Sequence, residues 1–160
     1  MARLDQRDGR RVSVVEVLVE VEAQPERVWE VVSDPRKLSH WDRHVESVEG
    51  VPAGGLAEGV RYTTVMRFMA VRGHVAAEVL EFDPPHRAVI MLTGLIDAIV
   101  TTTVEPLPGD RSLLKHVVDY HFRGGFIGDF AARSLQLLGG AQLALRHGTL
   151  AQKREIERRS

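Results

Sequence analysis

The chain has 160 residues, 44% of them hydrophobic and 27% charged, a balance that suits one globular domain with a sizeable core. Its net charge of -1 and aromatic share of 6% offer neither a basic face nor many stacking platforms, which argues against nucleic acid as a partner. Cysteine is absent, so disulfides, thiolate metal ligands and cysteine nucleophiles are excluded.

Residues 1–11 mix charges without an apolar run and read as a flexible tail rather than a secretory signal. No stretch approaches the roughly 20 apolar residues of a membrane span, so a cytoplasmic protein without stable membrane insertion is expected. From residue 12, Val15, Val17, Val19 and Val21 alternate with Glu16, Leu18, Glu20 and Glu22, the period of a strand with one buried face. Pro25 suits the first turn of a helix whose apolar stripe is Val28, Trp29, Val31 and Val32. Ser33-Asp34-Pro35 ends it and caps a second brief helix reaching Trp41.

Strands are then expected over 44–51, 60–68, 71–82, 87–93, 98–105 and 113–122. Turn-rich segments separate them: the glycine-rich loop 52–59, Asp83-Pro84-Pro85-His86, and Pro106 to Asp110. Short strands joined this way form an antiparallel meander. From Phe126 to Glu157 there is no proline. Ile127, Phe130, Ala131, Ser134, Leu137, Leu138, Ala141 and Leu145 make one apolar helical stripe, interrupted by Gly139-Gly140. That pair marks either a kink or a close approach of another backbone. Leu143 and Leu150 lie off the stripe. One domain over 12–158 is expected, an α+β fold in which about seven curved antiparallel strands wrap the long C-terminal helix. A twisted sheet does not lie flat on one helix, so an internal cavity is expected between them.

The order strand, two short helices, six strands, long helix resembles the START-like (SRPBCC) superfamily with its helix-grip fold. Val19 to Trp29 is similar to that superfamily's first strand and helix start, and Asp34 to Trp41 to its second helix, closed by a tryptophan. Glu81-Phe82-Asp83-Pro84-Pro85-His86-Arg87 resembles its strand-turn segment. By length and single-domain form the chain is most similar to the polyketide cyclase/dehydrase group. That resemblance implies a cavity that folds a reactive polyketone, with a few polar groups assisting ring closure and loss of water. A fold of this kind serves many tasks, so it does not by itself fix the function.

On the last strand Leu114, His116, Val118 and Tyr120 form the more apolar parity and should face the cavity. His116 and Tyr120 are the candidate acid–base pair, with Thr102 or Tyr62 orienting a carbonyl. Equally, they can be polar groups satisfied inside the lining. The expected lining is Trp41, Tyr62, Thr64, Met66, Phe68, Met91, Thr102, Val118, Phe126, Phe130, Ser134, Leu137 and Leu138. Arg72, His74 and Glu78 should be a solvated row, unless a bulge reverses the strand. Asp97 is not read as catalytic.

His40 and His44 stand four apart around Trp41, without a glutamate base between them and across a helix-to-strand junction, so no metal site is expected. No cofactor is implied. Three functions stay open: a cyclase-like enzyme, a non-catalytic carrier or sensor of a lipid or isoprenoid, and a protein-binding module whose cavity is filled by its own side chains. The expected partner is a small hydrophobic ligand, with an acyl carrier protein or a second copy of the chain as candidate protein partners.

Overall fold

The first strand, β1 (Ser13–Val21), carries the alternation its sequence predicts. Val17 and Val21 are buried and Val15 and Val19 partly so, while Val14, Glu16, Leu18 and Glu20 are exposed. The protein is described here by a computed structural model, which covers residues 13–68, 70–94, 96–122 and 139–158. Pro25 opens α1 (Pro25–Val32), where a missing N–H costs nothing, and the helix buries Val28, Trp29 and Val31. It stops at Ser33, whose backbone N–H and hydroxyl both donate to Trp29 O, at 2.9 and 2.6 Å. A short 3-10 turn (Pro35–Lys37), capped by the Asp34 side chain, leads into α2 (Leu38–Trp41).

Six further strands follow: β2 (Val45–Glu49), β3 (Arg61–Phe68), β4 (Val71–Asp83), β5 (Arg87–Gly94), β6 (Ile96–Leu107) and β7 (Arg111–Phe122). They form one antiparallel sheet in the order β1-β7-β6-β5-β4-β3-β2, so the two short helices carry the chain from one edge to the other. The β6–β7 hairpin extends further than the turn signal alone predicts, pairing Leu107 with Arg111. Its turn is tight because Gly109 and Asp110 both adopt left-handed backbone, φ 79° and 54°.

Register settles the ambiguous strand. Val75, Ala77 and Val79 of β4 are buried, and Arg72 and His74 are exposed. A bulge does occur, but between Val79 and Glu81. It turns Phe82 inward, onto the Trp29 ring at 5.6 Å, and leaves Leu80 exposed.

The last helix, α3 (Gly140–Arg158), begins after Gly139, which has a left-handed φ of 61°. The portion of the expected stripe before residue 139 lies outside the described residues. Within α3 the buried positions are Thr149, Gln152 and Ile156, a 3–4 spacing that continues from the partly buried Leu145. An added Cβ at Gly139 would meet nothing within 4 Å, so no other backbone approaches closely there, whereas at Gly148 it would come into ordinary contact with Trp41 O at 3.4 Å.

Helix α3 packs chiefly along β1 and meets α1 and α2. Its side chains also occupy the free backbone edge of β1. Gln142 Nε2 donates to Glu16 O at 2.8 Å, Lys153 Nζ to Glu20 O at 2.5 Å, and Glu22 N–H to Glu157 Oε1 at 3.0 Å. An edge strand covered in this way is a poor template for a further strand. At the α1 end Val21, Val28, Trp29, Val31, Val104, Leu114 and Ile156 make one packed cluster. Burying Ile156 alone contributes about 2–3 kcal/mol. Among the described residues no helix is long and apolar enough to cross a membrane.

Candidate ligand cavity

Pairing across the sheet fixes which side chains share the inner face. One row runs Val17–His116–Thr102–Ala88, the next Val15–Val118–Val100–Ile90–Val79, and the next Ser13–Tyr120–Ala98–Leu92–Ala77–Tyr62. Toward the α1 end the inner face is filled by the cluster around Trp29 and Ile156. Toward β2 it is filled by Val45, Met66 and Val75, with Leu38 and Val48 against them. Between these, Val15, Val100, Val118 and Ile90 stay only partly buried. This aliphatic floor is the centre of the candidate cavity.

His116 sits at its edge and is 7% exposed. Its Nδ1 lies 2.9 Å from Thr102 Oγ1 and its Nε2 lies 2.9 Å from Gln152 Oε1. The two contacts fit one neutral ring, with Thr102 O–H donating to Nδ1 and Nε2–H donating to Gln152. Burial holds the imidazole pKa below its ordinary value, with the bond to Gln152 pulling partly the other way. Both ring nitrogens are thus engaged within the protein, in a chain that ties β6, β7 and α3 together. Tyr120 is also buried; burial raises its phenol pKa, against a smaller opposing effect of a hydrogen bond with Ser13. Four residues separate His116 from Tyr120, about 13 Å along a strand, too far for the two to share a proton directly.

Of the other expected lining residues, Tyr62 and Thr64 are buried on the inner face of β3. Burial alone pushes the Tyr62 phenol up to about 12, so it is a neutral donor. Val118 belongs to the floor and Thr102 to the His116 chain. Met66 packs with Val45 and Val75, and Trp41 packs against the cluster at the α1 end. The expectation for Met91 is corrected: it pairs with Glu78 and Ile99 and so lies on the opposite face. There it helps rim an open depression of about 490 Å³, together with Glu49, Thr63, Thr93 and the Arg61–Glu78 ion pair. The side chain of Phe68, and Phe126, Phe130, Ser134, Leu137 and Leu138, lie outside the described residues.

His40 stands exposed with its ring edge toward Trp41, and His44 Nδ1 lies 3.2 Å from Arg67 O, so the two imidazoles have separate surroundings. Asp97, not read as catalytic, is on the outer parity but buried: it accepts from Gly94 N–H at 3.1 Å, and its Oδ2 lies 3.1 Å from His121 Nε2. Sequence reasoning missed Gln152, the partner of His116. The available signal was position, since Gln152 falls seven residues after Leu145 on the same helical face.

A curved sheet of seven antiparallel strands, two short helices and a long C-terminal helix together define a START-like helix-grip protein. The family described as polyketide cyclase/dehydrase and lipid transport matches residues 12–144, and the chain belongs to that family. Its fold is shared with solved structures of low identity. A protein of Thermus thermophilus aligns with a TM-score of 0.74 at 19% identity, covering 92% of this chain and 99% of the other. An aromatase/cyclase from a Streptomyces species aligns at 0.75 and 18%, covering 92% and 95%. A START superfamily protein from Mycobacterium smegmatis gives 0.70 and 18%, covering 92% and 99%. No curated protein sequence matches the chain. Membership in the family supports binding of a hydrophobic small molecule.

Proposed function

We propose that the protein encloses one small polyketide-like or lipid-like molecule against the concave face of its sheet, and that it binds rather than transforms that molecule through His116. The observation that carries this reading is the floor of Val15, Val100 and Val118, left only partly buried among three packed clusters, with Ile90 at its margin against the cluster of Tyr62, Ala77 and Val79. Aliphatic side chains in the middle of a fold are normally close-packed, and a gap over them is where an apolar guest gains most. A guest burying about 250 Å² of apolar surface there gains about 6 kcal/mol before the costs of association. Ring closure in the manner of the Streptomyces aromatase/cyclase needs a group free to move a proton. His116, held at 2.9 Å on both nitrogens, is better suited to holding α3 against the sheet. A cytoplasmic site of action, and delivery of the guest by an acyl carrier protein or use of the fold as a homodimer, belong to the same proposal.

Native mass spectrometry of protein from its own host, with identification of whatever denaturation releases, tests this directly. A stoichiometric apolar adduct is expected. Val118→Phe should fill the floor, lose the adduct and stay folded. An adduct-free protein that also fails to bind an apolar dye would overturn the reading and leave a packed interaction module. Turnover of a polyketone that disappears in His116→Ala but survives in Gln152→Ala would overturn the non-catalytic role of His116.

A further inference from the structure

Six polar side chains are buried among the described residues: Thr64, Asp97, Ser112, His116, Thr149 and Gln152. Ser112 donates to Ala23 O and Thr149 to Leu145 O, both at 2.7 Å. His116 and Gln152 bond each other, and Asp97 accepts from Gly94 N–H. Thr64 differs. At 5% exposure it makes no side-chain hydrogen bond within the described residues, and neither does the Tyr62 phenol, 6% exposed, two positions earlier on the same face of β3; neither oxygen is among the fully buried side-chain atoms that lack a partner, so each keeps some open space in front of it. A hydroxyl on a largely buried side chain, with its oxygen still reachable, is placed to bond a polar group that enters that space. Both hydroxyls belong to the inner face that carries the aliphatic floor. Tyr62 stands in the row next to it, and Thr64 one row further along β3.

The charge pattern of that face narrows the guest. Glu16, Glu20, Arg61, Glu78, Lys115 and Asp119 all fall on the outer parity of their strands. Among the described residues the inner face of the sheet carries no Asp, Glu, Lys or Arg, and its one imidazole is neutral and already bonded twice. A carboxylate or phosphate lying against this face would shed its water with no opposite charge among the described residues of the sheet to receive it. A carbonyl or hydroxyl would instead meet two donors about 7 Å apart along the strand.

We propose that Tyr62 and Thr64 are specificity-determining residues which hydrogen-bond an uncharged, oxygen-bearing guest, so that the cavity selects it over anionic molecules of the same shape. This inference rests on the ligand-binding reading above and names the chemistry that the reading leaves open.

The test is a fluorescence titration of the full chain at about pH 7.5 with three probes of matched shape: naphthalene, 2-naphthol and 2-naphthoate. Expected is 2-naphthol binding at least about tenfold more tightly than 2-naphthoate. Tyr62→Phe and Thr64→Val should each weaken 2-naphthol by about three- to tenfold and leave naphthalene within about twofold. Equal affinity for 2-naphthoate and 2-naphthol, or variants that weaken naphthalene as much as 2-naphthol, would overturn the inference while the cavity reading stands. If no probe binds, naphthalene included, both fall. Should either variant fail to fold, the ranking of the three probes on the wild type still decides.

Discussion

Gln152→Leu isolates the contact between α3 and the sheet. In the wild type Gln152 is 8% exposed and accepts the Nε2–H of His116 at 2.9 Å. Leucine nearly conserves the volume, so water gains little room, and the N–H loses its acceptor in a buried setting. An unmet buried donor costs about 1–3 kcal/mol. Replacing the amide by an apolar group returns part of that, leaving a net loss of about 1–2 kcal/mol. For a chain of this length that is a fall in Tm of about 2–8 °C. Adding His116→Met and Thr102→Val removes the groups that lost their partners, since Thr102 Oγ1 lies 2.9 Å from the other ring nitrogen. The triple variant should therefore return to within about 1 kcal/mol of the wild type, because replacing all partners by apolar groups is close to neutral. Urea unfolding followed by tryptophan fluorescence measures all three proteins. A Gln152→Leu variant as stable as the wild type, or a triple variant less stable than the single, would refute the account of this chain as a structural clasp.

The same histidine predicts a pH dependence. Its folded pKa is depressed by burial, so as pH falls below about 6.5 the unfolded chain takes up a proton that the folded chain resists. Stability fully present above that pH is then lost toward the folded pKa, by at most about 1.4 kcal/mol per pH unit from this group. Urea midpoints should fall between about pH 7 and 5.5 in the wild type, and His116→Met should flatten that segment; an unchanged slope assigns the effect elsewhere. Gly94→Ala should destabilise by about 2 kcal/mol or more, measured by urea unfolding, since left-handed backbone and a contact with backbone both oppose the side chain. Its φ is 134° and an added Cβ would meet His74 O at 2.6 Å. Gly148 behaves differently, because a Cβ there meets Trp41 O at 3.4 Å, ordinary contact. Gly148→Ala should stabilise by about 0.5–1 kcal/mol through helix propensity, whereas Gly148→Leu should destabilise; a loss of Tm in the alanine variant would show that the space is tighter than this distance implies.

Much of the fold was legible locally. The parity of β7, with Leu114, His116, Val118 and Tyr120 inward, follows from apolar alternation on one strand, and α1 from Pro25 and its stripe. Those signals are short-ranged and repeat with the period of the element that carries them. Met91 escaped because β5 is apolar on both parities, from Ala88 through Leu92, so no alternation marks its inner side. Only pairing with Glu78 and Ile99 places it outside. The bulge between Val79 and Glu81 likewise depends on two strands at once. The contacts of His116 come from Thr102 and Gln152, which are 14 and 36 residues away in sequence. The chain alone determined that an imidazole would face inward. Whether its nitrogens would meet a guest or the protein's own side chains was decided only when α3 closed on the sheet, because partners so distant in sequence become neighbours through long-range packing rather than local periodicity.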